Sequence, residues 1–403
     1  MEAEAKTLEP KAERMLLLVL AVIQFTTILD FLIMMPLGPQ YMRVMHISPG
    51  QFGFMVSVYA ISAGIAGLVS GFVLDRFERR AALLTLYAGF GVGTLLCALA
   101  PSYETLTVAR AVAGAFGGVT GALVLAIVGD VIPENRRGRA MGVVFTAFSL
   151  ASVLGVPIGL ALATKFSWHA PFFLLAAATA PVWFGTAAFI PKLQRPVYTK
   201  TQMLPHIRTL WLAPAHLRSF LFIALVTGSG FAVIPYISPY MVKNVGLTEA
   251  QLPYIYFVGG ICTIFSMNFV GRAADKFGKS KVFKVAAIAA GGVSMLLTSL
   301  PRVPAPVAIG VTTLFMVGMS GRMVPAMAMM TSVVSRKERG GFMGVSSAVQ
   351  HFASGLASFI GGLCLGQGPQ GQITRYWVVG LVSVSFALSS IWLSRKLTMV
   401  EDL

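Results

Sequence analysis

Charge is what this sequence has least of. Only 11% of its 403 residues are Asp, Glu, Lys or Arg, less than half of the roughly 25% usual in soluble domains. A water-soluble chain of this length needs far more polar surface to cover its core, so that class is excluded. Acid is scarcer still, with 15 Asp and Glu against 31 Lys and Arg. Such a balance is one footprint of nucleic-acid binding. Here the basic residues sit between long apolar runs and form no continuous basic face, so no nucleic acid is expected as a partner. The three cysteines, Cys97, Cys262 and Cys364, are too few for a disulfide framework. They lie inside apolar segments and read as small packing residues. No Asn-x-Ser/Thr acceptor occurs, which fits a bacterial inner membrane. There is no Walker loop, so ATP does not drive the chain directly. No Cys/His cluster has metal-ligand spacing, no cofactor is expected, and nothing points to an enzyme. A cleavable signal peptide is also not expected. The first 14 residues are acid-rich (Glu2, Glu4, Glu9, Glu13), and the apolar run behind them is too long and is interrupted by Asp30.

What the sequence has in abundance is apolar length, 56% of its residues being hydrophobic. A bilayer-spanning helix needs roughly 20 such residues. Segments of that size recur as Met15–Leu37, Gln51–Leu74, Ala81–Ala100, Tyr103–Ile132, Gly138–Ala163 and Trp168–Ile190. After a polar stretch come Ser219–Met241, Gln251–Ala273, Val282–Leu300, Val303–Val334, Gly340–Gly366 and Ile373–Ser394. The expected fold is an all-α membrane protein of twelve transmembrane helices. It comprises an N-terminal tail (1–14), a six-helix bundle (15–190), a central loop (191–218), a second six-helix bundle (219–394) and a C-terminal tail (395–403). Placing the N-terminus in the cytoplasm puts 24 Lys and Arg on cytoplasmic tails and loops. Five face outside (Arg43, Lys165, Lys243, Arg302, Arg375), and Arg110 and Arg322 fall inside helices. Basic residues favour the cytoplasmic side in short loops, so both termini are expected there.

The two bundles echo each other. After the second helix the chain reads Gly71-Phe-Val-Leu-Asp75-Arg76-Phe77-Glu78-Arg79-Arg80, and 200 residues later Gly271-Arg-Ala-Ala-Asp275-Lys276-Phe277-Gly278-Lys279. After helices four and ten, Arg137-Gly138-Arg-Ala-Met141-Gly142 answers Arg339-Gly340-Gly-Phe-Met343-Gly344 at an offset of 202. The Gly-x-x-x-Asp-Arg-x-x-Arg-Arg loop and the layout of six plus six helices resemble the major facilitator superfamily over essentially the whole chain. That resemblance implies parallel repeats with a substrate site between them near the midplane. It implies a cavity lined mainly by helices 1, 4, 7 and 10, with 3, 6, 9 and 12 facing lipid, and a monomer. It also assigns the conformational switch to the cytoplasmic loops, through Gly71, Asp75, Arg76, Arg79, Asp275, Arg137 and Arg339. Asp75 is expected near the start of helix 11, where a helix N-terminus favours a carboxylate. The alternative is that these charges only anchor loops and fix topology. Glu78 departs from the family, which has Gly there; the second copy keeps Gly278.

A charge inside a membrane helix costs several kcal/mol on insertion scales. Asp30 and Arg110 each stand about seven residues from the external ends of helices 1 and 4, which run in opposite directions, so they share a depth and an ion pair is feasible. Leu29-Asp30 and Arg110-Ala-Val-Ala-Gly114, continued by Gly118, resemble patterns of the drug:proton antiporter and sugar-efflux branches. Burial disfavours an ionised carboxyl while a neighbouring guanidinium favours it. A group under both influences can take a proton on one side and release it on the other. The alternative is a static pair that fixes helix 1 to helix 4. Arg322, midway along helix 10, has no acidic partner in its own half; it pairs with Asp30 across the cavity, binds an anionic or hydroxyl-rich substrate, or snorkels to water. Further substrate-site candidates are Gln350 and His351 in helix 11, and Tyr236 and Tyr240 near the outer end of helix 7. Asn268 in helix 8 is another, or else joins helices by hydrogen bonding. In helix 5, Gly155, Pro157 and Gly159, with Ala151 before them, imperfectly resemble the family's antiporter motif and offer a small-residue packing face.

The expected function is proton-coupled efflux of small amphipathic compounds or sugars by alternating access, with solute, protons and the lipid bilayer as partners. An organic-anion exchanger or symporter using Arg110 and Arg322 is the alternative. A non-transporting sensor or scaffold has little support, since nothing outside the membrane is large enough to signal.

Overall fold

The computed structural model describes residues 10–73, 77–190, 213–334 and 339–397. Among these, twelve long helices hold nearly all the chain. We number them α1 (Pro10–Ile33), α2 (Pro49–Val73), α3 (Arg79–Leu99), α4 (Tyr103–Val131), α5 (Glu134–Leu150, Ala151–Gly155 and Val156–Lys165 in succession) and α6 (Ala170–Phe189). The second set is α7 (Pro214–Val245, in several pieces), α8 (Leu252–Phe277), α9 (Lys279–Thr298), α10 (Ala305–Thr331), α11 (Arg339–Cys364) and α12 (Tyr376–Ser394). Helices close their backbone hydrogen bonds internally, which is what an apolar solvent demands. Eleven of the twelve are long and apolar enough to cross a membrane. The other, α11, has the length but carries Ser346, Gln350, Ser354 and Ser358 every fourth residue, a polar stripe that lowers its hydropathy.

Several boundaries differ from the sequence expectation, each for a local reason. The first apolar run is not one helix to Leu37: α1 stops at Ile33, and a short helix, Gly38–Val44, follows a turn. Pro36 and Pro39 interrupt the amide ladder there. α7 breaks in the same way after Phe231, passing through a 3-10 turn at Ile234–Tyr236 beside Pro235. In α5 the turn Ala151–Gly155 is π-helical, and the Val156 amide reaches the Ala151 carbonyl just ahead of Pro157, which has no amide to give. α8 runs on to Phe277 and α9 begins at Lys279, so Gly278 alone connects them, at φ 90° and ψ 135°. Ile373, expected to open the last helix, instead pairs with Gln367 in a two-stranded hairpin, so the connection into α12 is not helical. The Asn244 side chain brackets Ile373 with two hydrogen bonds of 2.9 Å.

Each half has its own apolar core. Leu20, Leu83, Tyr87, Val124 and Val144 join α1, α3, α4 and α5. Phe222, Phe283, Met329 and Phe342 join α7, α9, α10 and α11. A third cluster, including Ile33, Phe52, Tyr59, Tyr236 and Ile255, spans both halves toward the face predicted to be external. There Arg43 of the short helix forms a two-pronged ion pair with Glu249 of the other half. The α2–α11 seam is packed along its length: a Cβ on Gly355 would meet Ile61, and one on Gly67 would lie 3.6 Å from the Ala348 Cβ. The α5–α8 seam is packed through Ala151–Gly155 and Val156–Lys165. Nearer the other face, Phe145 and Phe148 of α5 and Phe265 and Phe269 of α8 are exposed. Large apolar side chains also stand exposed along α3 (Val92, Leu95, Leu99), α6 (Phe173, Phe184), α9 (Val285, Ile288) and α12 (Leu381, Leu388, Trp392).

Candidate functional site

The centre of the N-terminal half holds a dry ion pair. Arg110 donates to Asp30 Oδ2 at 2.7 Å, and the same nitrogen also donates to the Asp30 carbonyl at 3.3 Å. Thr94 of α3 donates to Oδ1 at 3.3 Å. Asp30 is 0% and Arg110 1% exposed. The guanidinium lies over the Tyr59 ring of α2, 4.1 Å from its centroid, a cation–π contact in a desolvated place. Four helices therefore converge on one charge pair. Glycine makes this possible: a Cβ on Gly114 would lie 2.3 Å from the Tyr59 carbonyl oxygen, and one on Gly118 2.5 Å from the Ala63 Cβ. α4 and α2 thus touch backbone to backbone beneath Arg110. On the other side of α1, Gly155 packs on Leu29 and Gly159 on Ile33, so α5 seats the segment that carries Asp30.

From this pair a line of aromatic rings crosses to the second half. Tyr59 stacks on Phe31 at 5.3 Å, and Phe31 meets Phe231 of α7 at 5.8 Å. These two phenylalanines stand 200 residues apart, the offset of the loop repeat, with Thr27 and Thr227 one turn before them and Pro39 and Pro239 eight residues after. Equivalent residues of the two repeats therefore touch where the halves meet. The match was present in the sequence, but reading the repeat from the loops passed over it. Thr94 and Tyr59 were missed for another reason: nothing in an apolar helix marks which of its hydroxyls faces a charge two helices away.

Arg322 does not pair with Asp30, whose carboxylate is taken by Arg110 and Thr94. It is 2% exposed and lies against α7. Its Nη2 donates to the Val226 carbonyl at 3.0 Å and lies 2.7 Å from the Met319 sulfur. Nε and Nη1 are buried without a hydrogen-bond partner, and so is the Thr227 hydroxyl. Thr312, which the repeat aligns with Arg110, bonds back to the Ala308 carbonyl of its own helix at 2.8 Å. The second half thus has no counterpart of the first half's ion pair among the described residues.

The remaining candidates fall into two groups. Tyr236 is buried where α7, α2 and α11 meet, donating to the Ser358 carbonyl and packing on Phe52 at 6.2 Å. Tyr240 instead donates to the Leu300 carbonyl at 2.9 Å and packs on Tyr376 at 4.7 Å, inside the second half. Gln350 and His351 are half-buried in α11, with the Gln350 amide bonded back to the Ser346 carbonyl at 3.3 Å. Asn268 is exposed and bonds the Ile264 carbonyl of its own helix at 3.1 Å, so it does not act as interhelical glue.

Among the loop residues, Asp75 and Arg76, the surroundings of Gly71 and the side chain of Arg339 lie outside the described residues. Arg79 donates to Asp130 at the end of α4 at 3.0 Å, and Arg137 to the Gly129 carbonyl at 2.7 Å. Asp275 is exposed on the last turn of α8. The Glu78 difference has a physical basis. At φ −66° and ψ 131°, its carboxylate accepts the Arg80 and Ala81 amides at 2.9 Å each and caps α3. In the second copy, Gly278 supplies the positive φ that joins two helices without a side-chain cap.

A family model described as Major Facilitator Superfamily matches residues 20–322 and 220–399. The chain is 25% identical over 364 residues to the uncharacterized MFS-type transporter YceJ of Bacillus subtilis (strain 168), covering 89% of this chain and 90% of that one. It is 25% identical over 220 residues to a protein of Mannheimia succiniciproducens named "Probable sugar efflux transporter", with 55% of each chain covered. In fold it is similar to a bacterial homologue of the human lysosomal transporter Spinster, at 15% identity and a TM-score of 0.76, covering 98% of this chain and 99% of that one. The D-xylose–proton symporter gives the same score at 16% identity, covering 94% and 97%.

Proposed function

The chain belongs to the major facilitator superfamily, and on that premise we propose that it is a proton-coupled exporter of small amphipathic compounds or sugars, working by alternating access. The observation that carries this reading is the Asp30 carboxylate, fully buried and held by Arg110 and Thr94. A proton arriving on Asp30 cancels its charge and releases Arg110, so α1 and α4 lose their strongest mutual contact. Departure of the proton restores that contact. A structure that alternates between these conditions can tie proton movement to the exposure of a central site. The sugar-efflux name of one relative supports export, and the name of one structural neighbour, a proton symporter, supports coupling to protons without its direction. Exchange or symport of organic anions is a second reading, favoured by one acid standing against two arginines among the buried intramembrane charges.

The test uses proteoliposomes carrying an internal pH dye, challenged with lipophilic cations, neutral sugars and organic anions. Solute-dependent proton movement by the wild type that disappears in Asp30→Asn is the expected result, and its direction separates antiport from symport. Solute movement without proton flux, unchanged by the substitution, leaves Asp30 a structural partner of Arg110 and rejects the coupling.

A further inference from the structure

Arg322 presents a physical anomaly. A guanidinium cannot shed its proton to escape burial, and a buried charge is expected to be paired. Arg110 is paired; Arg322 has one carbonyl and one thioether, with Nε and Nη1 unanswered. The Thr227 hydroxyl is also buried and without a partner. It follows Val226, whose carbonyl holds Arg322, and stands one turn before Phe231, which meets Phe31 of the other half. The two unanswered nitrogens of Arg322 therefore lie at the α7–α10 crossing. Gly230 borders the guanidinium: a Cβ there would make ordinary contact with Nη2 at 3.6 Å and with the Met319 sulfur at 3.5 Å.

We propose that Arg322 is a subsite for an oxyanion, the carboxylate or phosphate group of a transported solute. The guanidinium keeps a fixed positive charge, and its unpartnered Nε–H and Nη1–H groups can each donate a charge-assisted hydrogen bond to an oxyanion. The Val226 carbonyl fixes the orientation of the guanidinium in advance. The inference rests on the reading of the chain as a solute transporter and, within it, favours organic anions over uncharged sugars. It does not depend on Asp30 carrying a proton.

The experiment is thermal unfolding of the purified full-length protein in lipid nanodiscs, with no gradient. Sodium benzoate, inorganic phosphate and benzyl alcohol, the uncharged counterpart of benzoate, are titrated in turn. We expect benzoate to raise the wild-type midpoint in a saturable way and benzyl alcohol not to. Arg322→Gln, which removes the charge and keeps a polar amide at the position of Nε, should lose the effect. Arg322→Lys should keep it with affinity weakened about tenfold, since the charge remains but one donor N–H is lost. Protection by phosphate as well as benzoate identifies the free oxyanion as sufficient; protection by benzoate alone identifies a carboxylate on an organic body. Equal protection of Arg322→Gln and wild type, equal protection by benzyl alcohol, or no protection by either anion overturns the proposal. Binding is read without transport, so its result stands whichever way the proton-flux experiment falls.

Discussion

A carboxyl left alone in a dry site can take up a proton and become neutral, whereas a guanidinium has no such route. The two halves of the Asp30–Arg110 pair should therefore fail unequally. Asp30→Leu strands Arg110 over Tyr59 with its carboxylate gone, and breaking a buried pair in that sense costs about 3–5 kcal/mol. Arg110→Met leaves an acid that can neutralise itself, and roughly half that loss is expected. The double variant Asp30→Leu/Arg110→Met should regain most of the stability, since apolar replacement of a whole buried pair is often neutral. Thermal melting of the four proteins checks the order; equal losses in the two single variants would mean that Arg110 finds another partner. The shared depth of the two residues was readable from their distances to the helix ends. Thr94 and Tyr59 were not, because depth along a helix says nothing about facing. Arg322 shows the same limit: its position in α10 was plain, but that it leans on the Val226 carbonyl depends on a rotation about the helix axis.

Among elements, the helices themselves were the most legible part, because bilayer thickness imposes a length that soluble helices need not obey. Facing was hidden for the same reason. A helix apolar on all sides has no stripe to show which side is buried. The breaks were half-visible. Pro36, Pro39, Pro235 and Pro239 stand in the sequence, but a proline near the end of a long apolar run is also compatible with a kinked continuous helix. The α8–α9 junction was misread by several residues because Asp275 and Lys276 resemble a polar loop, while in the structure they are the last turn of α8. Gly278 carries the whole reversal at φ 90°, so Gly278→Ala forces a side chain into a left-handed region at a cost of about 1–2 kcal/mol. Gly142 has nothing within 4 Å of an added Cβ and lies inside a helix. Gly142→Ala should stabilise by up to about 1 kcal/mol through propensity alone. Unfolding of both variants side by side tests the contrast; a harmless Gly278→Ala would show that the junction can rearrange.

For the whole molecule, the expectation of two halves was legible in the sequence as matching loops, since loops keep their charges. How the halves sit together was not, since seams of glycine and small side chains have the same composition as any membrane helix. The structure closes the seam between α2 and α11 over its length and packs the α5–α8 seam in its Ala151–Lys165 part. Rocking of rigid halves about their meeting point must part some of the α2–α11 seam. A Cβ at Gly67 would lie 3.6 Å from that of Ala348, within the roughly 3.5–4.5 Å a disulfide bridges. In a background with Cys262 and Cys364 replaced, the pair Gly67→Cys and Ala348→Cys should cross-link on oxidation, stop transport and recover on reduction. Undiminished transport by the oxidised protein would place the moving joint elsewhere.

The lone guanidinium of Arg322 also has an electrical side. Among the described residues, the intramembrane charges of the N-terminal half cancel, while the C-terminal half carries one buried positive charge that Asp30 does not balance. Moving one elementary charge through the full membrane field is worth about 2.3 kcal/mol per 100 mV. If the halves rock so that Arg322 changes its share of that field, the cell's voltage pulls on the empty carrier itself. A monoanion seated on Arg322 would remove that pull. The resting potential would then act on one leg of the cycle and leave the other alone, setting how often an empty carrier waits on each side.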